Sequence, residues 1–320
     1  MIARRSFTKL GTLRGRTAKL AVTFEQQQPL EGGQYAEVLA HALAKLGSGL
    51  VSLLSHPQLA LQLQQLDLTG TVILEPEEAG PGPAPAAALA SLFQGLRLRQ
   101  LSLAGPLLPH LQPLAQHLTQ LRLEDCKLLS LSPLAQLQVL TVCRRLHGLH
   151  VLLQALPRLH TLQLPGMCIC EQQLDALLAA TQLTSIQLAS IRELTSSRAD
   201  LPCSWQRLEL LQNIAYSTVT CLPLHGLTQP LVLGGLYVGV GAASDAEVAA
   251  AVQHLAGTCK APVIITNLHL NACSAADVTA LAPACRACTH LKFIFGSMKP
   301  SLEFWRQLVQ LMPTVQQRDI

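Results

Sequence analysis

The sequence predicts an α/β solenoid: a horseshoe whose concave face is a parallel β-sheet, with short helices and loops on the convex side. Three observations predict it. A distinctive spacing of apolar residues recurs about ten times along the 320 residues. Apolar residues make up 49% of the chain but aromatics only 3%, so the core must be assembled from Leu, Val, Ile and Ala, side chains of similar size that suit repetition of one small unit. The segments between the recurrences carry helical spacing, as crossovers between parallel strands must.

The spacing is clearest in Leu118, Leu121, Leu123, Cys126 and Leu128. The pattern Leu-x-x-Leu-x-Leu-x-x-(Asn/Cys)-x-Leu returns with Leu63, Leu66 and Leu68, with Leu98, Leu101 and Leu103, and with Leu137, Leu140 and Val142. It continues through Leu159, Leu162 and Leu164, then Leu183, Ile186 and Leu188, then Trp205, Leu208, Leu210 and Asn213. Leu231 and Leu233 form a weak copy, followed by Ile265, Leu268, Leu270 and Cys273, and by Cys288, Leu291 and Phe293. Central positions fall 19 to 24 residues apart, except for gaps of 35 and 37.

This pattern and period resemble the leucine-rich repeat family over roughly residues 60 to 300, with a degenerate first copy at Leu20 and Val22. The irregular lengths, and cysteine at some asparagine positions, look like intracellular members of that family. Physical reasoning agrees. The two leucines of Leu-x-Leu point to one side of a short strand, and a single unit cannot bury that side without its neighbours. Leu174, Leu177 and Leu178 share a helical face. Ser244 with Glu247, and Ser274 with Asp277, look like helix starts, and Gly257 like a helix C-cap.

Residues 1–16 read as a basic lead-in, either a targeting segment or disordered, and 17–320 as one repeat domain with insertions at about 75–92 and 239–260. The first 24 residues hold Arg4, Arg5, Lys9, Arg14, Arg16 and Lys19 and no acid. Against a net charge of +4 for the whole chain, the remainder is close to neutral, which argues against nucleic acid as a partner. No membrane span is expected, because the uncharged run at 219–244 holds Pro223, Pro230 and several glycines. Ten scattered cysteines within apolar segments read as reduced thiols in the cytoplasm. The cytoskeleton or a ciliary axoneme is the alternative, or an organelle if the basic start is a transit peptide. The last residues, 314–320, read as an unpaired strand, and an uncapped solenoid end would allow self-association.

Motifs for catalysis are sparse. Cys168 with Cys170, and Cys285 with Cys288 and His290, have spacings seen in zinc sites. Cys273 and Cys288, however, fall on repeat positions and read as structural thiols. Gly239-x-Gly241 lacks the third glycine of a dinucleotide fingerprint, since position 244 is Ser. No catalytic residue, metal or cofactor is expected. The residue between the two inward leucines of each strand points into the concave face. This column and its neighbours nominate Asp67, Ser102, Arg122, Glu124, Thr141, Gln163, Gln187, Arg207, Glu209, His269 and Lys292 as partner-binding residues. Arg122 and Arg207 are the strongest, because interface hot spots favour Arg, Trp and Tyr. The functional expectation is a non-enzymatic scaffold that binds another protein through this face. The alternatives are a substrate-receptor subunit of an F-box ubiquitin ligase, although no F-box-like segment precedes the repeats, and a nucleotide- or metal-dependent enzyme.

Overall fold

The computed structural model describes residues 18–21, 63–68, 93, 96–104, 111–124, 131, 133–143, 148–192, 194–237, 245–270, 288–295 and 301–311. They divide into two compact units, Met1–Gln163 and Leu164–Ile320.

In the first unit, strands β1 (Ala18–Ala21), β2 (Leu63–Leu68), β3 (Gln100–Ala104), β4 (Gln120–Glu124), β5 (Val139–Val142) and the start of β6 (Thr161–Ile169) lie side by side in chain order, all parallel. The register follows the predicted central positions: Leu20 pairs with Leu66, Leu66 with Leu101, Leu101 with Leu121, Leu121 with Leu140 and Leu140 with Leu162. Each repeat delivers leucines to the core from its turn as well as its strand. Leu111, Leu114, Leu118, Leu121 and Leu123 are all buried, as are Leu131, Leu134, Leu137, Leu140 and Val142. Each such side chain contributes about 1.5–3 kcal/mol by leaving water.

A backbone device joins successive turns. The carbonyl of Arg99 accepts the N–H groups of Thr119 and Gln120, that of Thr119 accepts Gln138 and Val139, and that of Gln138 accepts His160 and Thr161. The same forked bond recurs in the second unit, from Gln206 and Arg207 to Thr184 O and from Thr228 and Gln229 to Gln206 O. Crossovers in the first unit include a 3₁₀ turn at Gln112–Leu114 and helix α1 (Leu149–Ala155), whose N-cap Gly148 has φ 69°. That left-handed conformation is why glycine stands there.

The second unit contains the rest of β6, then β7 (Ser185–Ile191), β8 (Arg207–Ala215), β9 (Leu231–Tyr237), β10 (Val263–Leu270) and β11 (Cys288–Phe295), again in chain order. The pairings of β7 through β11 are parallel. Its crossovers include α2 (Glu171–Ala179), α3 (Tyr216–Thr220) and α4 (Asp245–Thr258), and α5 (Leu302–Leu311) follows the last strand. Helix α2 buries Leu174, Leu177 and Leu178, the face read from the sequence, and Cys170 N–H donates to Gln173 Oε1 at 3.0 Å at its start. The fold is the predicted leucine-rich-repeat solenoid: parallel strands in chain order, one per repeat, with the apolar side buried wherever burial is described, from Leu66 in β2 to Ile265 in β10.

Three readings of the sequence need correction. Gly257 is not a left-handed C-cap: α4 runs on to Thr258 and Gly257 has no positive φ. Thr258 Oγ1 instead donates to His254 O at 2.8 Å and closes the last turn. The weak copy at Leu231 and Leu233 is a full strand of seven residues. Asn213, read as the consensus asparagine, is exposed. The cause is an extra residue in β8: Leu210 pairs with Leu233 but Asn213 with Gly235. This bulge brings β8 backbone so close to β9 that a side chain at Gly234 has no room, while Gly235 faces the Asn213 side chain. A Cβ on Gly234 would lie 1.9 Å from Leu211 O, and one on Gly235 1.9 Å from Asn213 Oδ1.

The long loop between β7 and β8 is fastened to α2 by Arg198, a buried arginine. Its Nε and Nη2 donate to Asp175 Oδ1 and Oδ2 at 2.7 and 3.1 Å, and its Nη1 lies 2.6 Å from Glu171 Oε1. The same Nη1 donates to Ser196 O and Oγ at 2.7 and 2.9 Å. Glu171 also accepts from Thr195 Oγ1 at 2.7 Å and Ser196 Oγ at 3.0 Å. The Thr195 hydroxyl first, then the Arg198 guanidinium, hold the Glu171 carboxyl down at about 2.

Expectations for residues 1–16, the 75–92 insertion, Cys126, Leu128, Gly239, Gly241, Ser244, Cys273, Ser274, Asp277, Cys285 and 314–320 lie outside the described residues.

Candidate partner-binding face

Strand alternation builds the candidate face. In β4, Leu121 and Leu123 are buried while Gln120 and Arg122 are exposed and Glu124 is half-exposed. Residues two apart on a strand share a side, so Arg122 and Glu124 are neighbours on the open face. Arg122 Nε and Nη2 both donate to Glu124 Oε1, at 3.0 and 2.8 Å. Cys143 Sγ, at the end of β5, lies 3.9 Å from the same oxygen. Burial raises the Cys143 thiol above its usual range, opposed by Arg122. On the next strands Thr141 Oγ1 donates to Gln163 Oε1 at 2.8 Å. Asp67 pairs with Ser102, Ser102 with Arg122 and Arg122 with Thr141 in the ladder, so five of the nominated residues fall in one register row in the first unit: Asp67, Ser102, Arg122, Thr141 and Gln163.

The second unit repeats the motif on a different strand. Arg207 Nε donates to Glu209 Oε1 at 2.8 Å and Nη2 bonds the same oxygen. Gln187, paired with Glu209 across β7 and β8, donates from Nε2 to its other oxygen. The two motifs differ in phase. Arg122 occupies the central position of its strand, whereas Glu209 does so in β8 and Arg207 sits one step earlier, opposite Ser185. Pairing of each arginine with a carboxylate two residues on was not foreseen from the sequence. Its signal was there: Arg-x-Glu within a strand puts opposite charges on one side.

The row does not continue as read. Val263 and Ile265, not Leu268 and Leu270, pair with Leu231 and Leu233. Ile264 therefore stands beside Val232, and His269 lies five residues further along β10, opposite Ile294. The stretch Val263–Leu270 contains two apolar-x-apolar phases, and the neighbouring strand selects the earlier one. Lys292 falls at a register shift between Leu291, opposite Ile265, and Phe293, opposite Leu268. At the other edge, Asp67 pairs with Ser102. From the second unit, Asn267 Nδ2 donates to Gly234 O at 2.6 Å, a bond across the β9–β10 ladder.

Elsewhere, Cys168 is exposed and Cys170 half-exposed at the start of α2. Among the described residues, no group of three or more His, Cys, Asp or Glu side chains is placed to hold a metal ion, and no helix is long and apolar enough to cross a membrane.

No protein-family model matches the chain, and no curated protein matches it. Among solved structures, the chain is similar to an internalin from Listeria monocytogenes, with 14% identity over 84% of this chain and 92% of that one, at a TM-score of 0.38. So loose a superposition adds nothing to the fold assignment, which stands on strand order, register and burial.

Proposed function

We propose that the chain is a non-enzymatic scaffold that binds another protein through the open face of its sheet, and that it belongs with the leucine-rich repeat proteins. The observation that carries this reading is the pair of fixed Arg–Glu units, Arg122 with Glu124 and Arg207 with Glu209. Each holds a guanidinium about half exposed, with side-chain exposures of 54% and 49%. An arginine already oriented by a carboxylate loses less freedom when it meets a partner group. The flanking Thr141–Gln163 and Gln187–Glu209 bonds hold amides and hydroxyls in place beside it. Each Arg–Glu unit is charge-neutral, so recognition would rest on directed hydrogen bonds rather than on long-range steering. Binding would accordingly vary little with salt.

The test is affinity purification from native cells with the wild-type chain and with Arg122→Glu and Arg207→Glu. The proposal expects a partner protein that the wild type recovers and at least one variant loses, while hydrogen exchange shows the variant still folded. Equal recovery by both folded variants would reject the open face.

A further inference from the structure

The latch between the β7–β8 loop and α2 contains a feature that binding at the open face does not use. Three successive hydroxyl residues, Thr195, Ser196 and Ser197, are exposed directly before the buried Arg198. Their hydroxyls have different duties. Among the described residues, Thr195 Oγ1 donates to the Glu171 carboxylate and Ser197 Oγ accepts the Ala199 N–H, at 3.3 Å. Of these three hydroxyls, in the bonds among the described residues, Ser196 Oγ is the one that touches both charges of the latch: it donates to Glu171 Oε1 and accepts from Arg198 Nη1.

We propose that Ser196 is a phosphorylation site and that its modification releases the β7–β8 loop from α2. The step is ordinary phosphoryl transfer by a protein kinase using ATP. Ser196 Oγ bonds to the γ-phosphorus as the bond from that phosphorus to the β–γ bridging oxygen breaks. ADP leaves with that electron pair, and the hydroxyl proton passes to the kinase's base. The product removes the donor that Glu171 Oε1 was accepting and sets about −1.5 to −2 of charge beside it. Arg198 is the only cation that contacts this cluster among the described residues, and it already serves Glu171 and Asp175. Counting Glu171, Asp175 and Arg198 among the described residues, the cluster thus moves from one excess negative charge to about three, around one guanidinium. Arg198 gains a closer and more highly charged acceptor in the phosphate, and Glu171 is left facing a like charge. Loop and helix separate because the cation that joined them is claimed by the loop.

The test uses the full chain with phosphoserine incorporated at position 196, with phosphoserine at 197 as the control. The readout is hydrogen exchange at two amides at the Arg198 anchor of the loop: Arg198 N–H, bonded to Cys221 O at 2.8 Å, and Leu201 N–H, bonded to Arg198 O at 3.0 Å; both bonds loosen if Arg198 leaves Glu171 and Asp175. Phosphoserine at 196 is expected to raise both exchange rates at least tenfold over the unmodified chain. At 197 it should leave them within about twofold, and Glu171→Gln should shrink the effect at 196. Unchanged rates at 196, or an equal rise at 197, would overturn the switch. Phosphopeptide mapping of the chain from its own cells, with phosphatases inhibited, should find Ser196 modified; recovery of that peptide only in unmodified form would overturn the site.

Discussion

Adding the same methyl group at two adjacent positions, Gly234→Ala and Gly235→Ala, should have very different consequences. Both new Cβ atoms would fall 1.9 Å from an oxygen across the β8–β9 ladder. At Gly234 that oxygen is the backbone carbonyl of Leu211, with its carbon at 2.3 Å and the Gln212 nitrogen at 3.0 Å. None of these can rotate away, so the strands must part by about 1 Å where the bulge is fixed by pairing on either side. Overpacking of this kind costs about 1–3 kcal/mol, and strained ladder bonds bring the expected loss to about 2–4 kcal/mol. At Gly235 the oxygen is the tip of the exposed Asn213 side chain, whose Cγ follows at 2.9 Å, and the backbone meets the new methyl only at Asn213 Cα, a tight contact at 3.3 Å that needs a shift of a few tenths of an ångström. A rotamer change of about 0.5–1.5 kcal/mol relieves it. Removing a strand glycine returns about 0.5–1 kcal/mol through the unfolded chain. Gly235→Ala should therefore lie within about 1 kcal/mol of the wild type, and Asn213→Gly should recover any loss. Urea unfolding gives the total, and hydrogen exchange at the β8 and β9 amides shows that the loss is local. Equal effects at the two glycines would refute the reasoning, because it rests on which atom, backbone or side chain, stands opposite.

Further outcomes follow from other sites. Glu171 has a folded-state value of about 2 against the ordinary 4.5. The unfolded chain therefore binds the proton more readily, and the stabilisation is complete above about 4.5 and lost as pH falls toward 2. The urea midpoint should drop more steeply over that range for the wild type than for Glu171→Gln, and parallel curves would remove Glu171 from the latch. Gly148→Ala should cost about 1–2 kcal/mol, all of it backbone strain, since a Cβ there meets nothing within 4 Å; Gly148→Asn should cost less in the same urea assay. Leu140→Ala, at a fully buried strand position, should cost about 2–5 kcal/mol. Burial raises the thiols of Cys203 and Cys259, so mass-mapped alkylation near neutral pH should label the exposed Cys168 well before either.

The repeat was legible because burial imposes it. Leu101, Leu121, Leu140 and Leu162 are needed in register on one side of the sheet, and no polar residue could stand there at small cost. The open face was legible by the same alternation at Ser102, Arg122, Thr141 and Gln163. What escaped the sequence depends on contacts between segments far apart in the chain. The β8 bulge shifts Asn213 out of phase, and only the approach of Leu211 shows why glycine stands at 234. His269 was placed in the row because Val263–Leu270 offers two equivalent phases, and the choice is made by Leu231 and Leu233 on the neighbouring strand. The Arg198 latch falls outside the repeat period, so no spacing points to it. The partners Glu171 and Asp175 come from a helix more than twenty residues earlier.

The central claim, that the open face meets another protein, is tested most directly by placing a photo-crosslinking amino acid at one position at a time in living cells. Thr141 and Gln187 lie on that face, and Gln172 is exposed on α2 away from it. A crosslinked partner band is expected from position 141 or 187, absent from 172 and lost when Arg122→Glu or Arg207→Glu is added. A band from 172 with none from 141 or 187 would contradict it.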